Sequence, residues 1–236
     1  MTRVPTLHAL LPAAGSGARM QSAQPKQYLQ LGGRTLLEWS VAAMRADARI
    51  ADVLVVVAPD DAQAGRLDLG ARVRVARAGG STRAATVRNG LRVLQESGAA
   101  DDEWVLVHDA ARCCLAADEL AALIDAVLAD GDTAPGGLLA LPLSDTVKRD
   151  DGREHVAGTV DRSGLWRAAT PQMFRLGVLA RAFDAAGDAV TDESSAIEAL
   201  GLHPRLVAGR ATNIKLTTPD DLPLATAILR AQRRID

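Results

Sequence analysis

The segment Leu7-His-Ala-Leu-Leu-Pro-Ala-Ala-Gly-Ser-Gly-Ala-Arg-Met20 joins a short apolar run to a loop of small residues. The run from Leu7 to Leu11 predicts a buried strand, and Pro12 ends it. The glycines that follow give the backbone conformational freedom to turn sharply. A strand that ends in such a loop is typical of open parallel sheets, in which ligands bind beyond the carboxyl ends of the strands.

Further apolar runs alternate with helical patterns along the 236 residues. This alternation predicts an α/β fold, a single Rossmann-like domain of three layers over residues 1–236 with a mostly parallel sheet between helices. We expect ligands near the loops that follow Leu11, Ala76 and Val107. The patterns predict further strands at 53–57, 73–76, 104–107, 138–143, 205–208 and 213–216. They predict helices at 35–44, 81–96, 118–128, 176–186, 192–200 and 219–233.

Residues 144–160 have a different pattern, with one short β-type run before the polar turn Asp150-Asp151-Gly152 and one after it. This pattern predicts a β-hairpin arm that protrudes from the domain. Because an isolated hairpin is only marginally stable in water, we expect the arm to pack on something, such as a second subunit.

The composition excludes several classes of protein. The 27 basic and 29 acidic residues give a net charge of −2, which does not favour binding to nucleic acid or to a membrane surface. No run approaches the roughly 18 apolar residues of a membrane span. The two cysteines, Cys113 and Cys114, are adjacent, which excludes a disulfide framework and a cysteine-rich zinc site. We therefore expect a cytoplasmic protein.

The loop from Pro12 to Met20 has the composition of a phosphate-binding segment. Small residues let backbone N–H groups approach a phosphate chain, and Arg19 can bind phosphate through two parallel hydrogen bonds. Lys26 adds a second cation shortly afterwards. The loop has neither the Gly-Lys-Ser/Thr of a Walker motif nor the third glycine of a dinucleotide fingerprint. A flexible turn with a solvated arginine is the alternative interpretation.

Together with Pro25-Lys26, the loop resembles that of nucleotidyltransferases that make sugar and polyol nucleotides. The ordered set of motifs, from Leu10 to Leu222, is similar to that of the 2-C-methyl-D-erythritol 4-phosphate cytidylyltransferase family of the non-mevalonate isoprenoid pathway. The resemblance implies transfer of CMP from CTP to the polyol phosphate, which gives 4-diphosphocytidyl-2-C-methyl-D-erythritol and pyrophosphate. The other motifs are Val107-His-Asp-Ala-Ala-Arg112, Thr159-Val-Asp-Arg162, Ala169-Thr-Pro-Gln172, Thr191-Asp-Glu193, Asn213-Ile-Lys215 and Thr217-Thr-Pro-Asp-Asp-Leu222.

The implied reaction needs fixed cations more than it needs a base. The second pKa of a phosphate monoester is about 6, so the attacking phosphate is largely ionised at neutral pH. Two anions must then meet, and positioned cations with a metal ion carry the catalysis. The resemblance implies catalytic roles for Arg19, Lys26, Arg162 and Lys215.

The nucleotide site is implied at two glycine-containing loops. Gly79-Gly80-Ser81-Thr82-Arg83 opens a predicted helix, where N–H groups and hydroxyls can hydrogen-bond the edge of a cytosine. A capped helix without a ligand is the alternative. The resemblance implies that the nucleotide is bound by Ala13, Ala14, Gly15, Gly17, Lys26, Gly80, Ser81, Thr86, Asp109 and Ala110.

Asp109 follows the predicted strand 104–107, so it lies at the carboxyl edge of the sheet. A carboxylate there can hold Mg²⁺, which combines few protein ligands with substrate oxygens. The resemblance implies that Asp109 binds Mg²⁺ or another divalent cation, whereas the residues alone fit an ion pair with Arg112 equally well. Thr212 stands where many family members have an acidic residue, so we identify no second metal ligand. His108 is expected to be structural.

The resemblance assigns the polyol phosphate to residues spread over the second half of the chain. It implies that the arm crosses to a second subunit, which predicts a homodimer with composite sites. Taken alone, the residues favour an exposed hairpin, and Thr191 has an alternative role as a helix N-cap. The implied substrate-binding residues are Asp109, Arg112, Thr146, Arg162, Thr170, Thr191 and Lys215.

Two other functions remain open from the sequence. A ribitol-5-phosphate cytidylyltransferase shares the nucleotide loop, and a non-catalytic nucleotide-binding module would share the scaffold. The presence of cations for both substrates favours an enzyme over a binding module.

Overall fold

The computed structural model describes residues 5–15, 17, 20, 24–131, 133–187 and 190–236. Within these residues it has eleven strands and six α-helices. The strands are β1 (Leu7–Pro12), β2 (Gln30–Leu31), β3 (Arg34–Thr35), β4 (Ile50–Val56), β5 (Val73–Ala76), β6 (Trp104–Val107), β7 (Gly136–Pro142), β8 (Val147–Asp150), β9 (Val156–Val160), β10 (Trp166–Arg175) and β11 (Arg205–Ala208). The helices are α1 (Leu36–Met44), α2 (Arg83–Glu96), α3 (Ala117–Ala129), α4 (Leu176–Ala186), α5 (Glu193–Glu198) and α6 (Asp221–Ala231).

Seven strands form a central sheet in the order β11-β7-β10-β6-β1-β4-β5. Neighbouring strands pair in parallel except at β10, which runs antiparallel to both β6 and β7. The carboxyl ends of β1, β4, β5 and β6 therefore meet at one edge of the sheet. The predicted α/β fold with a mostly parallel sheet is confirmed.

Helices cover both faces of this sheet because successive strand residues point to opposite sides. The alternation is clear in β1, where Leu7 and Leu11 join one buried cluster with α1 and α3. Leu10 joins a second cluster with α2, α4 and α5. The two clusters give the three layers that the alternation of strands and helices predicts.

A third apolar cluster packs α6 against α1. Trp39 of α1 lies in this cluster with Leu229 of α6. Cys113 and Cys114 are fully buried in the same cluster, and their sulfur atoms are 3.7 Å apart. The cluster anchors the end of the chain beside the loop that follows β6.

Strand β10 is absent from the sequence prediction because Pro171 interrupts it. A proline inside a central strand is normally evidence against that strand, since it cannot donate a ladder hydrogen bond. Here the pairing of β10 with β7 breaks between Ala168 and Gln172 and resumes afterwards, so the irregularity accommodates the proline.

The strand predicted at 213–216 is wrong. This segment is a loop, and two of its backbone groups bond to the turn after β6. The Leu216 amide donates to the Ala111 carbonyl at 2.9 Å, and the Arg112 guanidinium donates to the Asn213 carbonyl at 2.7 Å. The loop is thereby held against the carboxyl edge of the sheet.

Strands β8 and β9 form a separate antiparallel pair, as predicted for the arm. Most of its residues are exposed, and Val156 retains 65% of its accessible surface. The arm therefore extends an apolar side chain away from the core that the described residues form.

None of the helices described for this chain is long and apolar enough to cross a membrane.

His8 lies between two carboxylates at the opposite, amino edge of the sheet. Its Nδ1 is 2.6 Å from Asp52, and its Nε2 is 2.9 Å from Glu103. Burial disfavours the charged imidazole, but hydrogen bonds and attraction to both carboxylates outweigh burial and raise the pKa of His8 above 6.5.

We expect the substitution His8→Gln to destabilise the protein more at pH 5.5 than at pH 9. A raised pKa in the folded state means that the charged His8 contributes stability below its unfolded pKa, and this contribution is lost as the pH rises through its folded pKa. The expected loss in the free energy of unfolding is about 2 kcal/mol at pH 5.5. Urea denaturation of both proteins across this pH range measures it, and a loss that does not depend on pH would contradict the charged pair.

Candidate active site

A pocket of about 490 Å³ opens at the carboxyl edge of the sheet. The three loops after β1, β5 and β6 contribute to it, as the sequence predicts, and the loop after β11 adds Lys215. Ten of the residues implied for the site line it: Ala13, Ala14, Gly15, Lys26, Gly80, Ser81, Thr86, Asp109, Ala110 and Lys215. Pro12, Gln27, Thr82, Arg83 and Ala111 complete the lining.

The first wall of the pocket is the loop that follows β1. The Ala13 amide donates to the Val56 carbonyl at 2.8 Å, and the Ala13 carbonyl accepts from the side-chain Nε2 of Gln27 at 2.8 Å. Gly17 has a φ of 69°, and a Cβ there would lie 2.7 Å from Cγ of Lys26. Glycine is therefore required where the stem of Lys26 crosses the loop.

The second wall is the turn before α2, which approaches the first loop closely. A Cβ at Gly79 would lie 2.4 Å from Cβ of Ala14 and 2.8 Å from the Val57 carbonyl oxygen. The Thr86 hydroxyl accepts from the Gly80 amide at 3.1 Å and donates to the Thr82 carbonyl at 2.9 Å. Thr86 therefore shapes the turn, and its hydroxyl proton is engaged within the protein.

Asp109 forms the floor of the pocket and is 6% exposed. Its Oδ1 accepts from Nε of Arg83 at 2.9 Å, and its Oδ2 is 2.7 Å from Nζ of Lys215. Arg112 lies behind it, with Nε 3.8 Å from Oδ2. Burial opposes ionisation, but the charges of Arg83 and Lys215 outweigh it and hold the pKa of Asp109 well below its usual range. Asp109 is therefore a carboxylate at every physiological pH.

Arg83 joins Asp109 to a second buried carboxylate. Its two terminal nitrogens donate to Glu193 at 2.7 and 3.2 Å, and Glu193 is 0% exposed. Burial raises the pKa of Glu193, and Arg83 opposes that effect. Both residues stand within motifs quoted above, but neither was assigned a role from the sequence. The arginine after Gly79-Gly80 and the carboxylate after Thr191-Asp192 were the available signals.

The His108 side chain supports the floor from below. Its Nε2 is 3.1 Å from the Arg112 carbonyl, which can only accept, so Nε2 carries the proton. Its Nδ1 therefore accepts from the Thr170 hydroxyl at 3.1 Å, and that hydroxyl accepts from the Asp109 amide at 3.0 Å. Complete burial lowers the pKa of His108 to about 4. These contacts agree with the structural role expected for His108, and the Thr170 hydroxyl proton is engaged by His108.

Three of the other implied residues, Thr146, Arg162 and Thr191, do not line this pocket. Thr146 and Arg162 are exposed at the arm, where the Arg162 guanidinium donates to the Ser144 carbonyl. Thr191 is exposed beside a small separate cavity that also contacts Arg83. The N-cap role considered for Thr191 is wrong, because Asp192 caps α5 and accepts from the Ser195 amide at 2.9 Å. Arg19 lies outside the described residues.

The donor set at the floor suits a cation that takes few protein ligands. The part of the chain described by the structure contains no group of three His, Cys, Asp or Glu side chains that could hold a metal ion. Asp109 offers an ionised carboxylate with lone pairs beyond those used by Arg83 and Lys215. One carboxylate with substrate oxygens and water is a common coordination for Mg²⁺. The site therefore fits Mg²⁺ in the presence of a phosphate ligand.

Comparison with known proteins matches residues 7–231 to the family model of 2-C-methyl-D-erythritol 4-phosphate cytidylyltransferase. The enzyme of that name from Laribacter hongkongensis is 56% identical over 94% of this chain and 95% of its own length. The enzyme from Dechloromonas aromatica is 51% identical over 98% of this chain and 100% of its own length.

Solved structures agree with the sequence relatives. A crystal structure of a 4-diphosphocytidyl-2C-methyl-D-erythritol synthase superposes with a TM-score of 0.84 at 43% identity, over 95% of this chain and 99% of the other. The Francisella tularensis 2-C-methyl-D-erythritol 4-phosphate cytidylyltransferase gives a TM-score of 0.80 at 33% identity, over 95% and 100% of the two chains. The chain belongs to the 2-C-methyl-D-erythritol 4-phosphate cytidylyltransferase family.

Proposed function

We propose that the pocket at the carboxyl edge of the sheet transfers the cytidylyl group of CTP to 2-C-methyl-D-erythritol 4-phosphate. This reaction is the activity of the family to which the chain belongs. The observation that carries the proposal is the ion pair of Asp109 with Lys215 on the floor of a pocket that Lys26 also lines. Two cations in one pocket provide what the meeting of two phosphates requires.

The nucleotide would lie between the two small-residue loops. Ala13, Ala14 and Gly80 line the space between these loops, and membership of the family implies that a pyrimidine would lie there. Ser81 and Thr82 stand at the N-terminus of the 14-residue helix α2, where backbone N–H groups would bind a base or phosphate. The triphosphate would then run toward Lys26 and the loop that begins at Gly15.

Catalysis in this pocket needs no general base. The attacking phosphate oxygen is already largely ionised at neutral pH. His108 is neutral, and both of its nitrogens are engaged by protein groups, so it is not available to take a proton from substrate. Lys26, with Arg19, would stabilise the charge that develops on the α-phosphate and on the leaving pyrophosphate. Lys215 would orient the phosphate of the polyol.

Asp109 would hold the divalent cation, with phosphate oxygens and water as its other ligands. When bound, the cation would supply positive charge that offsets part of the negative charge of the nucleotide phosphates. Thr170 and Arg112 support Asp109 from the protein side, since one bonds its amide and the other lies within 3.8 Å of its carboxylate.

The arm would complete the site of a neighbouring subunit in a homodimer. Its exposed Val156 and the exposed Trp166 at its base are side chains that a partner would be expected to cover. Arg162 and Thr146 would then reach the polyol phosphate from the partner, which explains why neither lines the pocket of its own chain.

We expect Arg162→Ala to raise the KM for the polyol phosphate by about tenfold or more, with little change in the KM for CTP, because one bidentate phosphate contact is lost. Steady-state kinetics with each substrate varied in turn measures this split. Arg149→Ala, on an exposed arm residue, is the matched control. Sedimentation should give a dimer, and a fully active monomer would contradict the composite site.

The function itself is tested by pyrophosphate release from CTP and Mg²⁺ with two acceptors, 2-C-methyl-D-erythritol 4-phosphate and ribitol 5-phosphate. We expect release with the first acceptor only, and slower release when UTP or ATP replaces CTP. Release with ribitol 5-phosphate alone would correct the polyol. Absence of release with both acceptors would favour a non-catalytic nucleotide-binding module.

A further inference from the structure

We propose that Glu193 is a positioning residue for cytidylyl transfer, which acts through Arg83 to fix the carboxylate of Asp109. The proposal rests on the function given above, because it names a further residue that the same pocket needs. Glu193 does not line the pocket, so its influence has to pass through a neighbour that does.

Hydrogen bonds made by the neighbours of Glu193 hold its backbone against strand β10 of the sheet. It is the first residue of α5, whose N-cap Asp192 makes a reciprocal capping box with Ser195. Gln172 of β10 accepts from the Ser194 amide at 2.8 Å and donates to Asp192 at 2.9 Å. The Cα of Glu193 is therefore held in place, which limits where its carboxylate can lie.

From that point, Glu193 controls the orientation of the Arg83 guanidinium. Both terminal nitrogens of Arg83 donate to Glu193, which leaves Nε directed at Oδ1 of Asp109 at 2.9 Å. A guanidinium is planar and its donors form a rigid fork, so fixing two of them fixes the third. Asp109 is thus held on one oxygen by Arg83 and on the other by Lys215.

Stability alone gives no reason for a buried carboxylate at this position. Burying an ion pair is costly, and apolar residues of similar volume often stabilise a protein equally well or better. A functional reason follows from the charges, which alternate along Glu193, Arg83, Asp109 and Lys215. With Glu193 ionised, Arg83 divides its charge between two carboxylates, so Asp109 keeps part of its negative potential for Lys215 and a divalent cation.

If Glu193 were neutral, Asp109 would be the only carboxylate among the described residues paired with Arg83. The guanidinium of Arg83 would also be held less firmly, because its hydrogen bonds to Glu193 would be weaker. We expect Glu193→Gln to lower kcat/KM by about tenfold to a hundredfold, which is the scale of a misplacement of about 1 Å in a catalytic group. We expect the Kd for CTP, measured by calorimetry, to rise by about fivefold, because Arg83 lines the nucleotide pocket.

A double-mutant cycle identifies the route through Arg83. If Glu193 acts through Arg83, the variant R83Q/E193Q is no less active than R83Q alone, because the second change removes a contact that no longer exists. Asp184→Asn is the matched control, since Asp184 pairs with Arg92 of the same helix α2 at an exposed site. It should leave kcat/KM and the Kd for CTP unchanged.

Several outcomes would overturn the proposal. One such outcome is a folded E193Q protein with unchanged kcat/KM and CTP affinity. Another is a double variant whose loss equals the product of the two single losses. Either result shows that Glu193 only stabilises the fold. If E193Q does not fold, Glu193→Asp replaces it, because the shorter carboxylate keeps its charge but cannot reach Arg83 in the same way; activity equal to the wild type then overturns the proposal. If the wild type binds CTP without releasing pyrophosphate, the proposed function fails, and the same cycle on the Kd for CTP decides the role of Glu193.

Discussion

Asp109→Asn is expected to lower kcat by about a thousandfold, which is near the upper end of the loss for one electrostatic group in an active site. Asparagine has the same shape but no charge, so it removes the counter-ion of Lys215 and one of the two counter-ions of Arg83, which keeps Glu193. Its amide nitrogen must also face one of these two cations, whichever way the side chain is turned. The proposed divalent cation loses its protein ligand in the same step.

Kinetics with saturating CTP and polyol phosphate measures this loss, and urea denaturation of the same samples tests whether the variant is folded. Asp118→Asn is the control, because Asp118 is an exposed carboxylate paired with an arginine away from the pocket. We also expect D109N to need a higher Mg²⁺ concentration for half of its remaining activity. A folded D109N enzyme that retains more than about a tenth of the wild-type kcat would remove Asp109 from the centre of the mechanism.

The pocket was predictable from the sequence because its lining comes from strand ends. Parallel strands of one sheet end at a common edge, so the loops after Leu11, Ala76 and Val107 had to approach one another. The small residues of the first loop were interpreted as allowing a phosphate to approach the backbone, and Gly79 and Ala14 also let the two loops approach each other. The position of Asp109 at the pocket follows from the same reasoning, whereas Lys26 was selected as a second cation shortly after the first loop.

The ion pair of Asp109 with Arg112 was one interpretation of the sequence, but its contacts with Arg83 and Lys215 were not predictable in this way. Arg83 and Glu193 are 110 residues apart in the chain, and only the packing of α5 beside α2 brings them together. Lys215 was expected on a strand, but it lies on a loop that gains its hydrogen bonds from the turn after β6. The hydrophobic periodicity of a segment indicates whether it forms a helix or a strand. It does not indicate which distant side chain pairs with a buried charge, and these contacts depend on that pairing.

The interrupted strand β10 shows the same limit at the level of the fold. Its residues contain a proline where a central strand needs a donor, so its local pattern argues against a strand. The register break beside Pro171 resolves the conflict, and it also places Thr170 beneath the Asp109 amide. A position that violates a local rule thus supports the active site, as expected where function competes with regular structure.

Lys26→Met is expected to lower kcat by about a hundredfold, with a smaller effect on the KM for CTP. Methionine keeps most of the apolar stem that crosses Gly17 but removes the charge. If Lys26 stabilises charge that develops on the phosphates, its contribution is larger in the transition state than in the bound substrate, so the loss falls mainly on kcat. A uniform binding role would instead raise the KM and leave kcat unchanged.

Two further variants separate the charge of Lys26 from its position. Lys26→Arg keeps the charge on a different geometry, and we expect it to recover part of the lost kcat. Gly17→Ala keeps the lysine but places a Cβ within 2.7 Å of its Cγ, so it must displace the stem or the loop. We expect G17A to lower kcat by about tenfold through that displacement, since catalysis depends on position to within about 1 Å. Wild-type kcat in K26M would exclude Lys26 from catalysis, and wild-type kcat in G17A would show that the stem of Lys26 can move without cost to the reaction.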